Sequence, residues 1–127
     1  MEKTTNSKAG KIIYWTTTGI LALFILPGIF FMNSPMAIQG TQHLGLPEWF
    51  RIEVSIGHFI GGLILIIPMF GKRIKEWAYV ACGIKYLSAF IAHIAVGDPV
   101  GDIISPLVVF AILLTSYIYY HKSIIKQ

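Results

Sequence analysis

Four polar side chains interrupt the apolar stretches of this chain: Glu53, His58, Lys85 and His93. Tyr86 stands seven residues before His93 and so shares its helix face. A histidine exchanges protons near neutral pH. A lysine offers three donors and a charge, and a glutamate a carboxylate acceptor. Together they suit a proton-handling path, or a polar site for the headgroup of a lipophilic ligand. Metal binding is not expected, since none of Glu53, His58 and His93 stands at i, i+3 or i, i+4 from another. No serine or cysteine nucleophile accompanies a base, and no Gly-rich phosphate loop follows a strand. Catalytic residues, and independent catalysis, are therefore not expected.

These residues need elements to hold them, and the composition says which kind. Of the 127 residues, 55% are hydrophobic and 13% charged, with a mean hydropathy of +0.69. Soluble domains run at about 45–50% apolar and about 25% charged. The single cysteine, Cys82, excludes a disulfide-stapled domain and thiol–disulfide exchange within one chain. A membrane span takes about 20 apolar residues, so the chain has room for four and little else. The fold expected is an all-α, four-transmembrane-helix bundle. Its net charge of +4 suggests no nucleic-acid partner, because the basic residues border apolar runs instead of lining one polar face.

Residues 1–10 read as a mobile N-terminal tail. The bundle covers 11–120, with spans at about 11–32, 50–70, 76–96 and 103–120, and 121–127 form a C-terminal tail. Pro27 should kink the first span near its far end. Residues 33–49 form the longest connection, where Pro35, Gly40, Gly45 and Pro47 oppose any long helix. Gly71-Lys72-Arg73 and Gly97-Asp98-Pro99 read as turns, with Asp98 or Asp102 a cap for the fourth helix. Glu76 suits the positive end of the third helix, with Lys72 or Arg73 in reach. His43 and His121 receive no role.

A charge near the bilayer centre costs roughly 2.5–3.5 kcal/mol on insertion scales, so intramembrane polar residues need a reason. The short turn between spans two and three makes them antiparallel neighbours. Pairing their ends puts Glu53 level with His93 or Ile94, and His58 level with Ala89, with Lys85 about one 5.4 Å turn further in. The four residues then form a polar ladder from mid-membrane to one surface. Glu53 and His58 lie about 140° apart around their helix, so both cannot point at span three. The ladder also fits a purely structural role, in which Lys85 neutralises Glu53 or bonds His58. Gly57, Gly61 and Gly62 permit close helix packing, within the bundle or in a homo-oligomer.

Basic residues set the orientation. Lys3, Lys8, Lys11, Lys72, Arg73, Lys75, Lys122 and Lys126 fall on one side of a four-span chain, leaving Arg51 at the other end and Lys85 inside a span. That bias places both termini in the cytoplasm. Tyr14, Trp15, Trp77, Tyr119 and Tyr120 would mark the inner interface, and Trp49 the outer one.

Several strings carry a resemblance. Tyr14-Trp15-Thr16-Thr17-Thr18-Gly19 opens span one, and His43-Leu44-Gly45-Leu46-Pro47 leads into span two. Lys75-Glu76-Trp77-Ala78-Tyr79 opens span three, which closes on His93 and Gly97-Asp98. In this order and spacing, over roughly 11–120, they resemble the DoxX-like family of small four-helix membrane proteins. The resemblance implies an integral membrane bundle in a bacterial inner membrane. The family takes its name from a subunit of an archaeal thiosulfate:quinone oxidoreductase, which implies a link to redox or quinone metabolism. Many members carry a lysine in mid-span two where this chain has His58, whereas here the lysine is Lys85 in span three.

The function expected is a small membrane component that binds a hydrophobic molecule or assists a membrane redox partner, using Glu53, His58, Lys85, Tyr86 and His93. The alternatives are a proton-coupled transporter or channel, and a structural membrane protein without catalysis. No cofactor is required by the residues, although a quinone-like ligand is compatible with them.

Overall fold

The computed structural model describes residues 8–124; Lys3 and Lys126, and the parts of the two expected tails at 1–7 and 125–127, lie outside them. The first helix, α1 (Lys8–Ile25), starts inside the expected N-terminal tail and continues as a 3₁₀ segment, Leu26–Phe31. Pro27 explains the change of winding. It has no N–H to give to Leu23, so the regular i to i−4 ladder ends there.

A second helix, α2 (Pro35–His43), occupies the long connection and is only 9 residues long, in keeping with prolines and glycines that oppose a long helix there. Its start obeys the capping rules. Ser34 accepts from the Ala37 N–H at 3.2 Å, and Pro35 takes the first position, where an N–H is dispensable. Then come α3 (Glu48–Ile66), α4 (Lys72–Ala95) and α5 (Val100–Tyr119), the last continuing in a π-helical turn, Tyr120–Ile124. Among the described residues there is no strand, and four helical stretches are long and apolar enough to cross a membrane: Lys8–Phe31, Glu48–Ile66, Lys72–Ala95 and Val100–Ile124.

The four long helices close a ring in the order α1, α3, α4, α5, with α5 returning to α1. The seams are unequal: α5 packs extensively on α4 and α1, whereas α3 packs more sparsely on both its neighbours. Glycine sets how near α3 can come. A Cβ on Gly62 would lie 2.5 Å from Ile25 Cγ2 on α1, and one on Gly61 would lie 3.3 Å from Cys82 Sγ on α4. Gly57 meets nothing within 4 Å. Two of the three glycines thus serve contacts inside the bundle.

The interior mixes apolar and hydroxyl groups. Tyr14, Leu21, Ile25, Leu65, Tyr79, Cys82, Leu113 and Tyr120 are buried. Thr18 and Ser116 are fully buried among them. Ser116 Oγ lies 2.7 Å from Thr18 Oγ1 and 2.7 Å from Tyr79 Oη, tying α1, α4 and α5 together. Large apolar side chains such as Leu23, Phe24, Trp77, Val80, Ile84 and Val108 point outward. A water-exposed surface of that kind would be an aggregation liability, and in a bilayer it is the lipid-facing surface.

Two readings of inner-interface aromatics are corrected. Tyr14 and Tyr120 are not surface anchors: both are buried, with ring centroids 5.8 Å apart. Trp15, Trp77 and Trp49 do face outward. Sequence position placed all five inner aromatics near a helix end but could not tell which side of the helix each occupies.

Candidate functional site

The sparse seam between α3 and α4 contains a cleft of about 270 Å³. Glu53, Val54, Gly57, His58 and Gly61 line it from α3, and Ala81, Cys82 and Lys85 from α4. Gly57 makes the space, since a glycine there leaves the wall without a side chain. Gly57 and Glu53 are exposed, so the cleft opens on the bundle surface.

Lys85 is half-buried, with its ammonium 4.9 Å from the centroid of the Tyr86 ring. Such a cation–π contact contributes about 0.5–2 kcal/mol. Among the described residues Lys85 forms no hydrogen bond or ion pair with the protein; Glu53 does not neutralise it. Yet no buried side-chain nitrogen or oxygen there lacks a partner, so the ammonium is reachable from the cleft. His58 Nε2 lies 2.8 Å from Tyr86 Oη, and the two rings meet edge to face with centroids 5.4 Å apart. His58 Nδ1 has no protein partner and is open in the same way.

The cleft therefore holds one lysine amine against an aromatic face, one imidazole positioned by a tyrosine, one carboxylate at its mouth and an otherwise apolar wall. That set can donate to a carbonyl or other oxygen of a ligand and shelter the apolar part beside it. Among the described residues no group of three His, Cys, Asp or Glu side chains is arranged to hold a metal ion.

A model of the DoxX-like family matches residues 16–116 of the chain. The chain belongs to the DoxX-like family. No curated protein and no solved structure matches it.

In this DoxX-like protein the expected ladder divides in two. Glu53, His58 and Lys85 meet in the cleft, with Tyr86 behind His58. His58 faces Tyr86, not Ala89, a register shift of about one helical turn along α4. His93 is not in the cleft lining. Its Nδ1 lies 2.5 Å from Asp98 Oδ2, and His43 Nε2 lies 2.5 Å from Asp98 Oδ1. The two histidine hydrogen bonds hold the Asp98 carboxyl below its ordinary range.

Other charges also have partners the sequence did not point to. Lys75, counted among the orienting residues, is 2% exposed, and its ammonium donates to the Ile64 and Leu65 carbonyls at 2.8 and 2.9 Å. It closes the C-terminal end of α3, where carbonyls lack N–H partners and a cation suits the dipole. Glu76 accepts from Tyr117 Oη at 3.0 Å and pairs with His121, not with Lys72 or Arg73. Arg51 donates to the Met32 carbonyl at 3.1 Å and so anchors the start of α3 to the end of the 3₁₀ segment. Cys82 joins the cleft wall, opposite Gly61.

Proposed function

We propose that this protein is a ligand-binding component of redox- or quinone-linked membrane metabolism, and that the cleft between α3 and α4 takes the headgroup of a lipophilic molecule. The observation that carries the reading is Lys85: a cation inside a membrane span, supported by the Tyr86 ring and left without a protein acceptor. An intramembrane charge with no structural partner is a functional-site hypothesis by default. The cleft, at about 270 Å³, lies just below the roughly 300–1,000 Å³ range of drug-sized ligand sites. It suits a headgroup, with the tail lying along the exposed apolar surface. A quinone fits this chemistry, offering carbonyl oxygens to Lys85 Nζ and to a protonated His58 Nδ1, and an apolar ring to Val54 and Ala81.

The membrane is a bacterial inner membrane in this reading, with both termini cytoplasmic. Lys8, Lys11, Lys72, Arg73 and Lys122 support that orientation, because all five are exposed at the end of the bundle where α1 begins and the π-helical turn closes. Lys75 no longer counts toward it, being spent on α3.

The test is binding of a short-chain quinone to the purified protein in lipid nanodiscs, for wild type, Lys85→Met and His58→Gln. A hydrogen bond to a charged group contributes about 1.5–3 kcal/mol, so Lys85→Met should weaken binding about tenfold or more. If the quinone binds wild type and Lys85→Met alike, or neither variant accumulates folded, the polar cluster is structural.

A further inference from the structure

Two sharp turns meet at the end of the bundle away from Lys8 and Ile124. Gly45 follows α2 with a φ of 76°, and Gly97 follows α4 with a φ of 74°, both in the left-handed region that suits glycine. They bring His43, at the end of α2, to Asp98, in the turn between α4 and α5. His93, in the last turn of α4, meets the same carboxylate from the other side. The Asp98 N–H also bonds the His93 carbonyl at 3.0 Å, which fixes the turn beneath the carboxylate.

Each histidine addresses its own oxygen, so the arrangement is a hydrogen-bonded bridge and not a chelate. The Asp98 side chain is only 7% exposed, while that of His43 is 57% exposed. The bridge ties the end of α2, the segment that leads into α3, to the last turn of α4 and the turn after it. His43 is five residues before α3 begins, and Asp98 is three residues after α4 ends.

We propose that His43, Asp98 and His93 form a pH-responsive latch that holds the start of α3 against the end of α4 and limits how far the cleft between them opens. As regulation of the ligand site it rests on the reading given above, but the opening itself does not. A protonated imidazole carries a second N–H and a charge. A charge-assisted hydrogen bond is about twice as strong as a neutral one, so the latch is firmest in mild acid. A neutral ring has one proton, which either nitrogen can hold, so the bridge loosens when the imidazoles lose their charge. Asp98 sets the lower limit. Its carboxyl is depressed in the folded protein, so its contribution is complete above the ordinary value of 3.8 and is lost only as pH falls through the lower folded value.

The other charged groups on the elements packed here are Glu48, Arg51 and Glu53 on α3 and Asp102 on α5. Arg51 is engaged with Met32 and Asn33. Among the described residues none of the four pairs with the bridge.

Cys82 is the reporter, being the chain's single cysteine and part of the cleft wall. The experiment measures the rate of Cys82 alkylation by a membrane-permeant maleimide, in nanodiscs from about pH 5 to pH 8. Wild type is compared with Asp98→Asn, His43→Gln and His93→Gln. Dividing variant by wild-type rate at each pH removes the thiol's own ionisation. The ratio is expected to be several-fold above one at the acid end and to fall toward one as pH rises. A ratio of one throughout, or one raised equally at every pH, overturns the latch. Should Asp98→Asn misfold, His43→Gln on the exposed side decides alone. Quinone binding is not read here, so failure of the latch and failure of the ligand assignment are separate results.

Discussion

Lys75 and Lys85 lie on α4, ten residues apart, and each carries an ammonium on an aliphatic stem toward α3. Lys75 is almost fully buried and gives its protons to two carbonyls at the end of α3. Lys85 is half-buried beside a cleft, touches an aromatic face and gives its protons to no protein acceptor among the described residues. The difference separates two reasons for placing a charge in a membrane bundle. One completes the backbone of a neighbouring helix, and the other remains open to a further molecule.

The largest effect that would test this contrast is at Lys75. Lys75→Ala removes the packed stem and leaves two carbonyls without donors, so it should destabilise the fold by about 2–5 kcal/mol. Thermal unfolding in detergent micelles would register it. A Lys75→Ala protein as stable as wild type would mean that the helix end is satisfied another way.

Next in size is a pair on α3. Gly62→Ala drives a methyl to within 2.5 Å of Ile25 Cγ2 and should cost about 1–3 kcal/mol. Gly57→Ala meets nothing within 4 Å and should leave stability unchanged while narrowing the cleft and weakening quinone binding. Equal unfolding temperatures for the two variants would contradict the seam as described.

The four spans and their order were legible in the sequence, because long apolar runs between basic borders have few other structural solutions in so poorly charged a chain. The use of individual charges was not. Lys75 looks like any interfacial lysine, and only the position of α3, ending at Ile66, shows that two bare carbonyls face it. Glu76 looked like a helix-start acid, but its partners Tyr117 and His121 are 41 and 45 residues away. Glu53, His58 and Lys85 could be grouped from helical register. His93 could not be separated from them without the turn that brings Asp98 back to it. Thr18 and Ser116 gave no signal, since an isolated hydroxyl in a helix is common and only tertiary packing joins two of them.

Two smaller effects complete the series. Lys85→Met gives up the contact with the Tyr86 ring and should cost about 0.5–2 kcal/mol in unfolding, less than Lys75→Ala, while losing ligand. A large drop in its stability would erase the distinction between the two lysines. Glu76→Gln weakens a partly exposed pair with His121 and should cost no more than about 1 kcal/mol in unfolding experiments. A loss as large as that of Lys75→Ala would make the Glu76 cluster a second structural lock.

The most direct test of the cleft is to map where a lipophilic ligand sits. A quinone carrying a photoreactive group on its ring can be irradiated with the protein in nanodiscs and the adducts located by mass spectrometry. Adducts are expected on Val54 to Gly61 of α3 and on Ala81 to Lys85 of α4, and to be lost on competition with unlabelled quinone or in Lys85→Met. Adducts spread over the lipid-facing surface, or gathered between α4 and α5 around Gly83 and Phe110, would contradict the assignment of Lys85 as the charge held for a ligand.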